Sequence, residues 1–122
     1  MVRILIADDH EIVRQGLKEL LSDEFPDAFI EDASDTVSLL KKQASQQWDI
    51  VISDLIMPGG GGFRFLEIIR ASNKTLPVII ISTHPADQYE SSVIKAGANM
   101  FINKDTISAD LPKAIRSLLS LS

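Results

Sequence analysis

The chain has 122 residues, 45% hydrophobic and 24% charged, which suits one compact domain over residues 1–122 and excludes two domains, disorder and collagen-like repeats. Lys and Arg number 12 against 17 Asp and Glu, and the resulting net charge of −5 argues against direct nucleic-acid binding by this chain. Cysteine is absent, so disulfides and thiolate metal sites are excluded; the apolar start ends at Asp8, too early for a signal peptide or a membrane span, and a cytoplasmic protein without membrane attachment is expected.

Residues 4–7 read as a first strand. Ile12, Val13, Leu17, Leu20 and Leu21 then share one helical face, and Pro26 stops that helix. Residues 29–30, flanked by Asp27, Glu31 and Asp32, read as a weaker edge strand. Val37, Leu40 and Ala44 make a second helical stripe, with Asp35 placed to cap it. Residues 50–52 are the third strand. Gly59, Gly60, Gly61 and Gly62 follow as a surface loop, expected to be mobile, before a helix with Phe63, Leu66 and Ile69 on its apolar face. Residues 78–81 form the fourth strand, and Tyr89, Val93 and Ile94 a helix ended by Gly97. Residues 100–102 are the last strand. Leu111, Ala114, Ile115, Leu118 and Leu119 mark the last helix, whose Pro112 sits in the first turn, where a missing N–H is tolerated. Alternating strands and helices predict an α/β domain with helices on both faces of a parallel sheet. Three of the runs are near-continuous Ile, Val and Leu, as strands buried on both faces require.

In such a sheet, ligands bind beyond the carboxyl ends of the strands. Asp8 and Asp9 follow the first run, Asp54 the third, Ser82, Thr83 and His84 the fourth, and Asn103, Lys104 and Asp105 the fifth. Clustered carboxylates repel one another, so Asp8, Asp9 and Asp54 call for compensation. A divalent cation together with Lys104 balances their three charges, and Mg2+, which takes oxygen ligands and keeps exchangeable waters, suits the set. Asp54 beside it is then placed to attack phosphorus and form an aspartyl phosphate. Simpler roles exist for each residue. Asp8 and Asp9 are good helix caps, Asp54 a good turn former, Lys104 an ordinary loop lysine, and Thr83 a rival to Ser82. His10 and His84, without cysteine, make a poor zinc set and read as surface or supporting groups.

The run Ile4-Leu5-Ile6-Ala7-Asp8-Asp9-His10, then Asp54-Leu55-Ile56-Met57-Pro58-Gly59, Ile80-Ile81-Ser82, Lys95-Ala96-Gly97-Ala98 and Phe101-Ile102-Asn103-Lys104 resembles the receiver domain of bacterial two-component response regulators. Val13-Arg14-Gln15-Gly16-Leu17 after the Asp-Asp-His start is similar to the NarL/FixJ subgroup. The resemblance implies a flavodoxin-like (CheY-like) three-layer sandwich, with a five-stranded parallel sheet of order 2-1-3-4-5 and five helices. It implies Asp54 as phosphoacceptor, Mg2+ held by Asp8, Asp9, Asp54 and the Ile56 carbonyl, Lys104 on the phosphoryl group, Ser82 as switch hydroxyl and Phe101 as the aromatic that follows it. It also implies a sensor histidine kinase as donor, a switch in place of a turnover enzyme, an output through transcription, and scope for a homodimer.

Two departures from the family pattern stand out. Gly60 and Gly61 replace a bulky residue and Asp or Asn, and Ile56 fills a place that is often polar. Ile56 is expected to hinder attack by water on the phosphorylated state, and His84 to orient it. The alternatives are a stand-alone receiver acting through protein contacts, a Mg2+-dependent phosphohydrolase, and a binding module that has abandoned phosphorylation. The phosphohydrolase fits less well, since Ile56 stands where such enzymes carry an acid.

Overall fold

Strand ends in this chain are set by where the apolar runs meet charge. The computed structural model describes residues 1–84 and 86–121, with the backbone alone for residues 86 and 87. Pro85 and Ser122, included in the expected 1–122 domain, lie outside the described residues. The strands are β1 (Arg3–Ala7), β2 (Phe29–Ala33), β3 (Ile50–Asp54), β4 (Val78–Ser82) and β5 (Met100–Asn103). They form one parallel sheet in the order β2-β1-β3-β4-β5. The helices are α1 (Glu11–Glu24), α2 (Thr36–Ser45), α3 (Gly61–Ile69), α4 (Ala86–Lys95) and α5 (Ile107–Leu118), with a short 3-10 turn at Lys104–Thr106. Fold class, strand order and helix number are those expected.

Alternate strand residues point to opposite faces of the sheet. Leu5, Val51, Ile80 and Phe101 pack with Leu39, Phe65, Leu66 and Val93 on one side. Ile4, Ile50, Ile52, Ile79 and Ile81 pack with Leu17, Leu21, Leu111 and Ile115 on the other. Each such Leu or Ile contributes about 1.5–3 kcal/mol of burial, so β3 and β4, buried along their whole length, anchor the fold. Register then aligns the polar ends. Ala7 lies opposite Ser53, which brings Asp8 level with Asp54, and Ser82 lies opposite Asn103, just before Lys104.

Two helical stripes depart from the sequence pattern at their first residue, while Leu66 and Ile69 are buried as expected. Phe63 and Val37 are exposed, while Phe65, Thr36 and Leu39 are buried. In α3 the inward face begins at Gly62, where a Cβ would stand 2.6 Å from Ile80 Cδ1 and 2.9 Å from the Asp54 carbonyl. Glycine carries no hydrophobic signal, so the pattern misses the residue of closest approach. In α2 the inward face includes Thr36, whose hydroxyl is satisfied internally.

The expected four-glycine loop is shorter in the structure, where Gly61 and Gly62 already belong to α3 and are buried, and hydrogen bonds tie its ends. The Thr36 amide and hydroxyl both donate to the Pro58 carbonyl at 2.9 Å. The Thr36 hydroxyl also accepts from the Gly61 amide at 2.8 Å, and the Gly62 amide donates to Leu55 at 3.1 Å. Gly61, at φ +67°, would place a Cβ 2.1 Å from the Leu55 carbonyl oxygen. The glycines permit a tight path, and the hydrogen bonds hold it.

Candidate functional site

β1 ends at Ala7 and the chain turns sharply, with the Asp8 Oδ1 atom accepting the His10 amide at 2.9 Å. Neither Asp8 nor Asp9 occupies the N-cap position of α1, which is His10. Asp54 ends β3, where the Ile56 amide reaches its Oδ1 atom at 3.4 Å. Lys104 follows β5 and turns inward, with its side chain only 13% exposed. Its ammonium lies 2.7 Å from Asp8 Oδ2 and donates to Asp54 Oδ2 at 3.1 Å. Asp8 is fully buried, and its Oδ2 atom has this ion contact but no well-directed hydrogen bond. Asp9 is more open and lies 3.2 Å from His10 Nδ1 through its Oδ1 atom.

The electrostatics follow from this geometry. Burial raises the Asp8 carboxyl, but the adjacent Lys104 ammonium and the hydrogen bond from the His10 amide outweigh it and leave its pKa below the ordinary value. Asp54 goes the other way, because burial and the Asp8 charge outweigh the attraction of Lys104. Burial alone would lower Lys104, yet its bond to Asp8 and its pairing with Asp54 raise it. Three acids and one ammonium leave two negative charges at this rim, which one divalent cation would cancel. Asp8, Asp9, His10 and Asp54 each offer a ligand atom, and these four atoms lie within 4.8 Å of one another. A donor set of carboxylate oxygens fits a hard cation.

A cavity of about 380 Å3 opens here, lined by Asp9, His10, Asp54, Ile56, His84 and Lys104 among others. A larger hollow of about 490 Å3 lies at the opposite ends of the strands, between Gln46, Trp48, Asn73 and Thr75. Its walls are mainly neutral, and the converging charges lie in the smaller cavity.

The remaining predicted residues are near but differently engaged. Ser82 is buried, and its Oγ atom accepts the His84 amide at 3.0 Å and lies 3.3 Å from His84 Nδ1. Among the described residues it shares no hydrogen bond with Asp54 or Lys104. The His84 ring meets Tyr89 of α4 edge-on, with centroids 5.3 Å apart. Phe101 points into the core and is 8% exposed. The Ile56 side chain stands at the mouth, 53% exposed.

Two supporting residues escaped the sequence pattern. Thr36 ties α2 to the loop that carries Ile56, through partners more than twenty residues away. The Arg14 guanidinium donates to the Asp8 carbonyl at 2.8 Å and to Asp32 of β2 at 2.9 Å, fixing the turn that presents Asp8 and Asp9. Asp32, also paired with Lys18, is held below the ordinary carboxylate pKa against the effect of its burial. Acid and base at these spacings are too common to signal a pair.

Similarity to known proteins agrees with this architecture. The chain is 30% identical over 120 residues to the response regulator UvrY of Escherichia coli K12, covering 98% of this chain and 55% of that protein. It therefore spans about half the length of the curated relatives it matches. It superimposes with a TM-score of 0.90 on a LuxR-family two-component response regulator from Aurantimonas, at 29% identity, covering 98% of this chain and 86% of that one. With the response regulator TrrA of Thermotoga maritima, solved in complex with Mg(2+)-BeF, the TM-score is 0.87 at 31% identity, covering 98% of this chain and 100% of that one. No helix among the described residues is long and apolar enough to cross a membrane. The response regulator receiver domain model matches residues 4–116, and the chain belongs to that family, whose members serve as phosphoacceptor switches.

Proposed function

We propose that Asp54 accepts a phosphoryl group from a sensor histidine kinase in a Mg2+-dependent step, and that the adduct repositions the Ser82 and Phe101 region to control an output. The observation that carries this reading is the buried Asp8–Lys104–Asp54 cluster, with Lys104 2.7 Å from Asp8 and 3.1 Å from Asp54. An Asp54 carboxylate oxygen forms the new bond to phosphorus as the donor's bond to phosphorus breaks. Lys104 stays protonated and holds the carboxylate in its ionised, nucleophilic form, then takes up a phosphoryl oxygen. Asp8, Asp9, Asp54 and the Ile56 carbonyl would hold the cation, which would supply positive charge against the carboxylate and phosphoryl oxygens. The Mg(2+)-BeF complex of the Thermotoga relative supports that assignment.

Phosphorylation exchanges one carboxylate charge for about two phosphate charges. Ser82, one strand away, is the hydroxyl placed to answer it, and must release His84 to do so. Ile56 at the mouth slows attack by water on the adduct, and His84 favours it. The chain works as a switch and turns over no diffusible substrate; Ile56 in place of an acid weighs against a phosphohydrolase. With relatives about twice as long, transcriptional control through a DNA-binding partner domain is the favoured output, in the cytoplasm and with scope for a homodimer.

Intact-mass spectrometry after incubation with acetyl phosphate tests this. One phosphoryl group is expected with Mg2+ and none after chelation or in Asp54→Ala. Label that survives in Asp54→Ala, or ignores chelation, contradicts the assignment.

A further inference from the structure

His10 takes a position that sequence pattern does not assign to it. It is the N-cap residue of α1, with extended backbone at φ −97° and ψ 115°, yet its side chain makes no capping bond. The ring turns back to the acids instead, with Nδ1 hydrogen-bonded to Asp8 Oδ1 at 3.0 Å and lying 3.2 Å from Asp9 Oδ1. Two donors each about 2.1 Å from one ion and at right angles to it stand about 3.0 Å apart, so this spacing suits adjacent ligands of one cation. Asp54 contributes a further ligand atom within the same 4.8 Å group. The other oxygen of the Asp8 carboxylate, Oδ2, is taken by the Lys104 ammonium at 2.7 Å, which leaves Oδ1 as the atom turned to His10.

We propose that His10 Nδ1 is a nitrogen ligand of the acidic pocket, so that the pocket binds borderline first-row divalent cations such as Ni2+ and Co2+ in preference to Mg2+. This rests on the reading of the pocket as a cation site. Imidazole nitrogen suits transition metals, whereas Mg2+ keeps to oxygen. Carboxylates and the Ile56 carbonyl serve either kind of ion, and His10 is the group that separates them. Its side chain is 67% exposed, so the ring can settle on an ion without opening the core. His84 lines the same cavity but is engaged with Ser82 and Tyr89.

The test uses the whole chain without an affinity tag, titrated calorimetrically with Ni2+ and separately with Mg2+ at fixed pH and ionic strength. His10→Ala removes the ring without removing a cap. It is expected to weaken Ni2+ by at least about tenfold while changing Mg2+ by less than about twofold. Electron spin echo spectra of bound Mn2+ are expected to show nitrogen coupling in the parent and none in His10→Ala. Equal losses for the two ions, or no nitrogen coupling in the parent, would overturn the nitrogen ligand and leave the carboxylate site standing. If neither ion binds, or if Asp9→Asn binds both as the parent does, the cation site itself falls and this proposal with it.

Discussion

Replacing Lys104 with Met isolates the charge that holds the site together. The ammonium lies 2.7 Å from Asp8 and 3.1 Å from Asp54, so each attraction amounts to about 5–6 kcal/mol at an effective dielectric constant of 20. Much of that offsets the burial of the ammonium, and breaking such a pair typically costs about 3–5 kcal/mol. A ceiling follows from titration. At pH 7 the variant can protonate one carboxylate for about 4 kcal/mol, which is 1.36 kcal/mol for each pH unit above an ordinary pKa near 3.9. The expected loss is therefore about 3–4 kcal/mol at pH 7, lowering a urea midpoint by about 1.5–2 M if m is about 2 kcal/mol/M.

The pH dependence has a defined sign. Asp54 already has a raised pKa from burial and the Asp8 charge, and loss of Lys104 raises it further. The folded variant then binds more protons than the unfolded chain, so its deficit shrinks as pH falls from 8 towards 5. Asp8 in the parent behaves oppositely. Its pKa is lowered despite burial, by Lys104 and the His10 amide, so its contribution is present above its unfolded value near 3.8 and is lost as pH falls through the folded value. Mg2+ at millimolar concentration is expected to restore part of the deficit. Urea titrations at pH 5, 7 and 8, with and without Mg2+, measure all of this. A loss below about 1 kcal/mol, or one that ignores pH, would refute the reasoning.

Asp54→Asn removes the like charge facing Asp8 and is expected to raise the melting temperature above neutral pH while abolishing phosphoryl uptake. Thr36→Val strands the Gly61 amide, while the Pro58 carbonyl keeps its bond from the residue 36 amide, so a loss of about 1–3 kcal/mol is expected by denaturant titration. Gly61→Ala places a Cβ against the Leu55 carbonyl at φ +67° and is expected to destabilise more, whereas a loop that merely floats would tolerate it. Ile56→Asn is expected to shorten the lifetime of the phosphorylated form several-fold, and an unchanged decay rate would remove Ile56 from the account.

The sequence reveals what unbroken chemistry reveals. Asp54 stands out because it ends an apolar run with no other polar residue but Ser53, and Lys104 because it follows one directly. β2 is faint because Glu31 and Asp32 lie within an edge strand that is mostly half-buried. The inward face of α3 is misread only at Phe63, because Gly62 packs closely while lending no hydrophobic weight. Thr36 and His10 act through partners that depend on tertiary turns and side-chain direction, which periodicity does not encode. The glycine loop shows the same limit. Composition reports how freely its backbone can bend, whereas its hydrogen bonds report whether it does.

The most direct test of the account is the location of the phosphoryl group. Borohydride reduces an acyl phosphate to an alcohol, so treatment after incubation with acetyl phosphate and Mg2+ should convert an aspartyl phosphate to homoserine that survives proteolysis. The account predicts homoserine at position 54 alone, and none when Mg2+ is chelated. Homoserine at position 8 or 9, or at no position while phosphoryl label is bound, would contradict it.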